Sequence, residues 1–246
     1  MIVKAFAYTL IAVLLALFCV VGALFDMHFG TVYIELLFKT AVIAGMFCYA
    51  MVRKEIYMLW QGNYFTLFLI FALIPAVFNI LATAGFADSS PPAATIAVTV
   101  LNIFITAVWE ELYFRFVGKS LFEKNGGYTP PVFIFLAAVF ALSHLVNLLF
   151  YSAGNVFLKT VVAFTTSVFM MALYRNTQNI FVTITSHFFM NLAAELTMLY
   201  VSDPANRLFA GFDLLPITLN AVFMLAAGLV IFIKCGYLVY KKNIQK

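Results

Sequence analysis

The chain has 246 residues, of which 65% are hydrophobic and only 10% are charged, with a formal net charge of +4. Soluble domains carry about 25% charged residues, so the composition excludes an ordinary soluble domain. The basic residues stand singly or in pairs between apolar stretches and form no basic stripe, which argues against nucleic-acid binding. The apolar stretches have the length of helices that cross a hydrocarbon core of roughly 30 Å.

These stretches predict an all-α, polytopic membrane protein with about eight transmembrane helices. The backbone finds no water in hydrocarbon, so a long apolar stretch must bond internally as a helix. We interpret residues 1–246 as a single integral membrane domain, because no connection is long enough to form a soluble domain. The predicted spans, in chain order, are 5–25, 31–52, 64–86, 93–117, 131–150, 156–174, 179–200 and 214–239.

The lysines and arginines between the spans predict the orientation, since these residues are enriched on the cytoplasmic side. One side holds nine of them: Lys4, Arg53, Lys54, Lys119, Lys124, Arg175, Lys241, Lys242 and Lys246. The other side holds only Arg207, with Lys39 and Lys159 near helix ends. We therefore predict a multi-pass protein of the cell (inner) membrane with both termini in the cytoplasm.

Polar side chains inside the spans are the candidates for function, because an ionisable residue at membrane depth costs about 2.5–3.5 kcal/mol on insertion scales. They are Glu110, Glu111 and Arg115 in 93–117, His144 in 131–150, and His187, Asn191 and Glu195 in 179–200. Glu111 and Arg115 are four residues apart and can pair on one helix face. Glu110 is turned by about 100° from Glu111 and has no partner on its own helix.

Structural contacts between helices are the alternative interpretation of these residues. That interpretation suits Glu195 best and stays open for Glu111 and Arg115. Glu35 and Lys39, near a helix end, are interpreted as a surface pair or as snorkelling side chains. The combination of a base, two imidazoles and an amide donor favours catalysis; its members are Glu110, His144, His187 and Asn191.

Three short motifs carry a family resemblance. Glu110-Glu111-x-x-x-Arg115 is followed by Phe140-x-x-x-His144 and then by His187-x-x-x-Asn191. In order and spacing they resemble the signature of the CPBP family, the CAAX proteases and bacteriocin-processing enzymes also called Abi proteins. This family includes the CAAX prenyl endopeptidases of the Ras-converting type. The resemblance implies an intramembrane protease with residues 93–200 as its catalytic core.

The resemblance also implies roles for the motif residues. Glu110 is the expected general base that activates a water molecule, and His144 is expected to share that water and protonate the leaving amine. His187 and Asn191 are expected to donate to the oxyanion. Glu111 and Arg115 would support the helix that carries Glu110.

A zinc ion held by Glu110, His144 and His187 is a second arrangement that the sequence leaves open. We favour the metal-free arrangement, because asparagine is an ordinary oxyanion donor and a poor zinc ligand. No cofactor is therefore assigned with certainty.

The expected partner is a peptide or protein substrate cut near the cytoplasmic leaflet, together with the surrounding membrane lipids. The resemblance implies either lipidated CAAX-type tails or bacterial peptide precursors. Two other functions stay open: a non-catalytic bacteriocin-immunity or scaffold protein of the same fold, and a proton-coupled transporter, since buried Glu and His residues also relay protons.

Overall fold

The computed structural model describes residues 2–29, 33–52, 73–77, 80, 90–123, 130–149, 151–200, 218–230 and 233. The longer helices in these ranges are α1 (Ile2–Phe29), α2 (Tyr33–Val52), α3 (Ala93–Glu111), α4 (Pro130–Ser143), α5 (Ala153–Thr177), α6 (Ile180–Leu199) and α7 (Thr218–Val230). The described part of the chain contains no β-strand. The prediction of an all-α protein is confirmed.

Five helices among the described residues are long and apolar enough to cross a membrane: Ala5–Gly22, Ile34–Val52, Ala93–Val117, Pro131–Leu149 and Ala153–Thr177. They coincide with five predicted spans, and the class of polytopic membrane protein is confirmed. Helix α6 occupies the predicted span 179–200. The predicted span 64–86 lies mostly outside the described residues, with 73–77 helical within it. The predicted span 214–239 lies partly outside them, and α7 is helical within it.

Helix α3 does not end at Glu111. A π-helical turn, Leu112–Val117, follows it directly, and a short α-helix, Gly118–Glu123, follows the turn. Such turns widen the helix by one residue and occur mostly as single turns inside α-helices. Every residue from Leu112 to Phe116 is buried, so the wider turn faces protein rather than lipid.

The end of α4 also departs from a regular helix. The carbonyl oxygen of Phe140 accepts a hydrogen bond from Ser143 Oγ at 2.6 Å and lies 3.0 Å from His144 Nδ1. Side chains that bond to the backbone in this way compete with the helical ladder. From His144 to Leu149 the chain forms a 3-10 helix, so His144 lies where the helix changes its pitch.

A two-residue turn joins α5 to α6. Gln178 has a φ of 51° and its N–H donates to the carbonyl of Tyr174 at 2.8 Å, which closes α5. The side-chain oxygen of Asn179 accepts from the N–H of Phe181 at 3.0 Å and so caps the start of α6. This short connection places the two helices side by side and antiparallel.

Helix α5 packs against α4, against the 3-10 segment that follows α4, and against α6. Helix α3 packs against α2 and α6, while α4 packs against α5 and α1. Residues 165–174 of α5 are all buried, as expected of a helix enclosed on every side. In α1, by contrast, Val3 and Phe6 are 80% and 70% exposed, so this helix presents an apolar face to lipid. The polar residues of α3 contact Lys39 of α2 and His187 of α6.

Two tyrosines form hydrogen bonds between α1 and the π-helical turn. The hydroxyl of Tyr8 donates to the carbonyl of Tyr113 at 3.3 Å, and the hydroxyl of Tyr113 donates to the carbonyl of Tyr8 at 3.2 Å. Their rings are stacked with centroids 5.1 Å apart. Gly118 leaves room for this pair, since a Cβ atom there would lie 2.9 Å from the Tyr8 hydroxyl.

Candidate active site

Two consecutive carboxylates of α3 lie on either side of one histidine ring of α6. His187 Nδ1 lies 2.7 Å from Glu111 Oε1, and His187 Nε2 lies 3.6 Å from Glu110 Oε2. With a proton on Nδ1, His187 donates to Glu111 and turns Nε2 towards Glu110. The His187 side chain is 4% exposed and that of Glu110 is 14% exposed, so their pairing takes place almost entirely inside the bundle.

Arg115 balances the charge of Glu111. Its Nη1 atom lies 3.2 Å from Glu111 Oε1, and both side chains are fully buried. Arg115 Nη2 donates to Ser167 Oγ on α5 at 3.3 Å, and the guanidinium lies over the Phe140 ring of α4 at 4.7 Å. A buried ion pair needs such additional partners to offset the loss of water. Arg115 thus connects α3 to α4 and α5, beside the histidine on α6.

His144 contacts the same phenylalanine as His187. The Phe140 ring centroid is 5.0 Å from that of His144 and 6.2 Å from that of His187. His144 Nδ1 faces the Phe140 carbonyl, and with a proton there it donates to that oxygen. This tautomer leaves Nε2 as an acceptor. The ring is partly exposed, unlike that of His187.

Asn191 and Glu195 follow His187 along α6 at intervals of one turn. Asn191 is partly exposed, and among the described residues its side chain forms no hydrogen bond with the other motif residues. Glu195 is exposed and lies near Tyr151 in the connection before α5. Burial raises the pKa of Tyr151, and the carboxylate of Glu195 raises it further. Glu195 is therefore placed near the α4–α5 connection, away from the Glu110–His187 pair.

The proposed zinc ligands are not gathered into one cluster. Within the described residues, no three side chains of His, Cys, Asp or Glu stand close enough to hold a metal ion. Glu110, His144 and His187 are therefore not assembled as a zinc site in the described part of the chain, and the metal-free arrangement stays a prediction.

Two contacts of the site have no signal in the sequence. Glu111 and His187 are 76 residues apart, and nothing in their spacing indicates that they touch. Ser167 stands in an apolar stretch where a serine usually serves helix packing. Its bond to Arg115 depends on α5 lying against α3, which only the packed structure reveals.

Lys39 differs from the prediction of a surface or snorkelling side chain. It does pair with Glu35, as expected, but it is only 5% exposed. Its ammonium donates to Asn102 Oδ1 at 2.9 Å and to Thr106 Oγ1 at 2.7 Å, both on α3. The side chain therefore points into the bundle, because α3 offers it more acceptors than the helix end does.

The fold and these contacts define a polytopic helical membrane protein with a buried carboxylate–histidine site. Residues 92–193 match the model of one protein family, Rce1-like, described as type II CAAX prenyl endopeptidase Rce1-like. The matched segment contains all three motifs, and it confirms the resemblance to the CAAX protease family that the motifs predicted. At the level of the family, the match indicates a CAAX protease-type membrane peptidase. Neither the curated proteins nor the solved structures gave a match.

Proposed function

We propose that the protein is an intramembrane endopeptidase that hydrolyses a peptide bond near the cytoplasmic leaflet, with a water molecule activated by Glu110. The observation that carries this proposal is the Glu110–His187 pair, 3.6 Å apart and enclosed in a helix bundle. Neighbouring helices rarely retain two carboxylates and an imidazole in the membrane for packing alone. The family match over residues 92–193 supports a peptidase at the coarser level.

The first step is the attack of water on the substrate carbonyl. Glu110 takes one proton from the water as its oxygen bonds to the carbonyl carbon, which becomes tetrahedral and carries an oxyanion. Among the carboxylates of α3, Glu110 suits this role because Glu111 is already bound by both Arg115 and His187. The slight exposure of Glu110 leaves it accessible to a water molecule.

His187 and Asn191 are the proposed donors to the oxyanion. They project from α6 one turn apart, so both can point to the same side of a peptide bond. To donate from Nε2, His187 must carry two protons, and its ring then has a carboxylate on each side. Fixed donors of this kind contribute about 10²–10³ in rate.

The second step breaks the C–N bond of the tetrahedral intermediate. The leaving nitrogen takes a proton as the carbonyl re-forms; Glu110 delivers the proton that it took from water, either directly or through His144. His144 suits this role because its Nδ1 is held by the Phe140 carbonyl, which leaves Nε2 to exchange a proton. The products are a carboxylic acid and an amine, and Glu110 returns to its charged form.

Two classes of substrate agree with the proposal: lipidated CAAX-type tails and bacterial peptide precursors. The test uses the purified protein in liposomes, with a prenylated C-terminal tail peptide and the same peptide without the lipid. We expect one new amine and one new carboxylate per cleavage, detected by mass spectrometry. If neither these tails nor bacterial precursor peptides were cut, although they bound, a scaffold protein would be indicated and the peptidase would be wrong.

The metal-free mechanism is tested in the same assay. Because the three candidate zinc ligands are not gathered into one cluster, cleavage should continue at an unchanged rate after rigorous chelation. The measurement compares the initial rates of treated and untreated protein. Loss of cleavage that only zinc restored would contradict the metal-free proposal and leave the peptidase itself intact.

A further inference from the structure

Lys39 is a buried cation outside the three motifs. It lies on α2, and all three hydrogens of its ammonium have acceptors: Glu35 on its own helix, and Asn102 and Thr106 on α3. An ammonium inside a membrane protein is costly unless it is paired in this way. The family match begins at residue 92, so Lys39 also lies outside the matched segment.

The acceptors of Lys39 belong to the helix face that carries Glu110. Asn102, Thr106 and Glu110 follow each other at intervals of four residues in the α-helical part of α3. Side chains at this spacing share one face, and Thr106 lies about 6 Å from Glu110 along the helix axis. Lys39 therefore contacts the polar face of α3 one turn before the proposed base.

Thr106 can extend the hydrogen bonding of Lys39 to the next turn of α3. Its hydroxyl oxygen accepts a hydrogen bond from Lys39 at 2.7 Å. A hydroxyl that accepts in this way still has its own hydrogen to donate to a second acceptor. The next polar side chain on the same face of α3 is Glu110.

The charged groups of α2 and α3 also indicate an interaction between Lys39 and Glu110. Lys39 lies within electrostatic range of the Glu110 carboxylate. Arg115 is committed to Glu111, so Lys39 is a separate cation near Glu110.

We propose that Lys39 is a positioning residue for hydrolysis by Glu110. Through its hydrogen bonds to α3, the ammonium fixes the helix in register against α2 and holds a positive charge beside the face that carries the base. This inference rests on the proposed function of Glu110. A purely structural role of Lys39 is the competing explanation, since an unpaired Glu35 or Lys39 in the bundle would weaken folding on its own account.

The experiment separates the two explanations with four variants in liposomes. Lys39→Met removes the charge and leaves Glu35 unpaired, and Lys39→Arg keeps the charge. Glu35→Gln keeps Lys39 with its α3 partners, and the double variant Glu35→Gln/Lys39→Met removes both charges together. Each variant is measured for kcat, for KM and for its thermal unfolding temperature.

A positioning role predicts a loss of about tenfold in kcat for Lys39→Met with KM close to that of the wild type. A loss of this order is expected when the base is misplaced, because α3 has lost its hydrogen bonds to Lys39. The double variant should keep this loss although no unpaired charge remains, while Lys39→Arg recovers most of it. Glu35→Gln should lower kcat less than Lys39→Met does. If both kcat and the unfolding temperature of the double variant returned to the wild-type values, the proposal would be overturned.

A readout independent of turnover uses infrared spectroscopy of the carboxyl bands. The band of Glu110 is identified by its absence in Glu110→Gln. It should shift in Lys39→Met and in the double variant, and should stay close to its wild-type position in Lys39→Arg. An unshifted band in both Lys39→Met and the double variant would overturn the proposal. An inactive wild type with a shifting band would instead refute the peptidase function while upholding the interaction between Lys39 and Glu110.

Discussion

Glu111 connects the two charged partners of the site through a single oxygen. Its Oε1 atom lies 3.2 Å from Arg115 Nη1 and 2.7 Å from His187 Nδ1, and the Glu111 side chain is fully buried. Arg115 balances the carboxylate, and the carboxylate in turn orients the histidine ring. Glu111 therefore balances Arg115 in the bundle and contacts His187, while its role in catalysis stays a prediction.

Glu111→Gln should lower both stability and activity. The change leaves the Arg115 charge without a balancing anion in the bundle, which costs about 3–5 kcal/mol when one partner of a buried pair is removed. It also replaces the carboxylate that holds His187 Nδ1. Thermal unfolding and the cleavage rate of the purified variant are the measurements.

The double variant Glu111→Gln/Arg115→Met separates these two effects. Because it removes both charges of the pair, we expect stability to recover much of its loss while kcat stays low. Recovery of kcat to the wild-type value would contradict a role of Glu111 in orienting His187. A variant as unstable as Glu111→Gln would contradict the charge balance between Glu111 and Arg115.

At the residue scale, the sequence predicted contacts within a helix and missed those between helices. The pairing of Glu111 with Arg115 followed from a spacing of four residues, and the structure confirms it. The contact of His187 with both carboxylates depends on α6 lying beside α3, which no local pattern encodes. The burial of Lys39 was missed for the same reason, since its acceptors are on another helix.

At the element scale, hydropathy predicted where helices lie and did not predict their local irregularities. The prolines before residue 93 and at residue 130 stand at the starts of α3 and α4, as expected from their missing N–H groups. The π-helical turn after Glu111 and the 3-10 segment after Ser143 were not predicted. Both follow from side-chain packing and hydrogen bonding in the assembled bundle, and both lie next to motif residues.

Gly228 allows α7 to approach α5 closely. A Cβ atom there would lie 3.1 Å from Phe169 Cα and 3.1 Å from a methyl group of Val168. Small residues at such contacts let transmembrane helices approach closely. We predict that Gly228→Val destabilises the protein by about 1–3 kcal/mol, the usual cost of overpacking, as measured by thermal unfolding in detergent.

Gly45→Ala is the matched control for this prediction. Gly45 also lies in a helix, and a Cβ atom there would meet no other atom within 4 Å. The variant should unfold at or slightly above the wild-type temperature, since alanine favours helices more than glycine does. Equal destabilisation by the two substitutions would show that the α5–α7 contact is not the cause.

At the scale of the whole molecule, both halves of the chain contact the segment that carries the first motif. The three motifs lie within residues 92–193, but Tyr8 on α1 bonds to the π-helical turn and Lys39 on α2 bonds to α3. The prediction of one membrane domain with 93–200 as its catalytic core stays a prediction. The described contacts favour treating α1 and α2 as part of the environment of that core.

The orientation in the membrane is predicted from the distribution of Lys and Arg alone. Two reporters are fused separately to the C-terminus. We expect the reporter that works only in the cytoplasm to be active, and the reporter that works only on the opposite side to be inactive. The measurement compares two fusions of opposite requirement, expressed at equal levels. Activity of only the reporter that requires the opposite side would reverse the predicted topology and place the site nearer the other leaflet.

The central claim is that the carboxylate of Glu110 activates the water that cuts the peptide, and the cleavage rate of Glu110→Gln tests it most directly. The substitution preserves size and removes the base, so the rate should fall by about 10²–10⁴. Glu195→Gln is the matched control, because Glu195 is an exposed glutamate on α6 outside the three motifs, and its rate should be unchanged. Cleavage by Glu110→Gln near the wild-type rate would contradict the account.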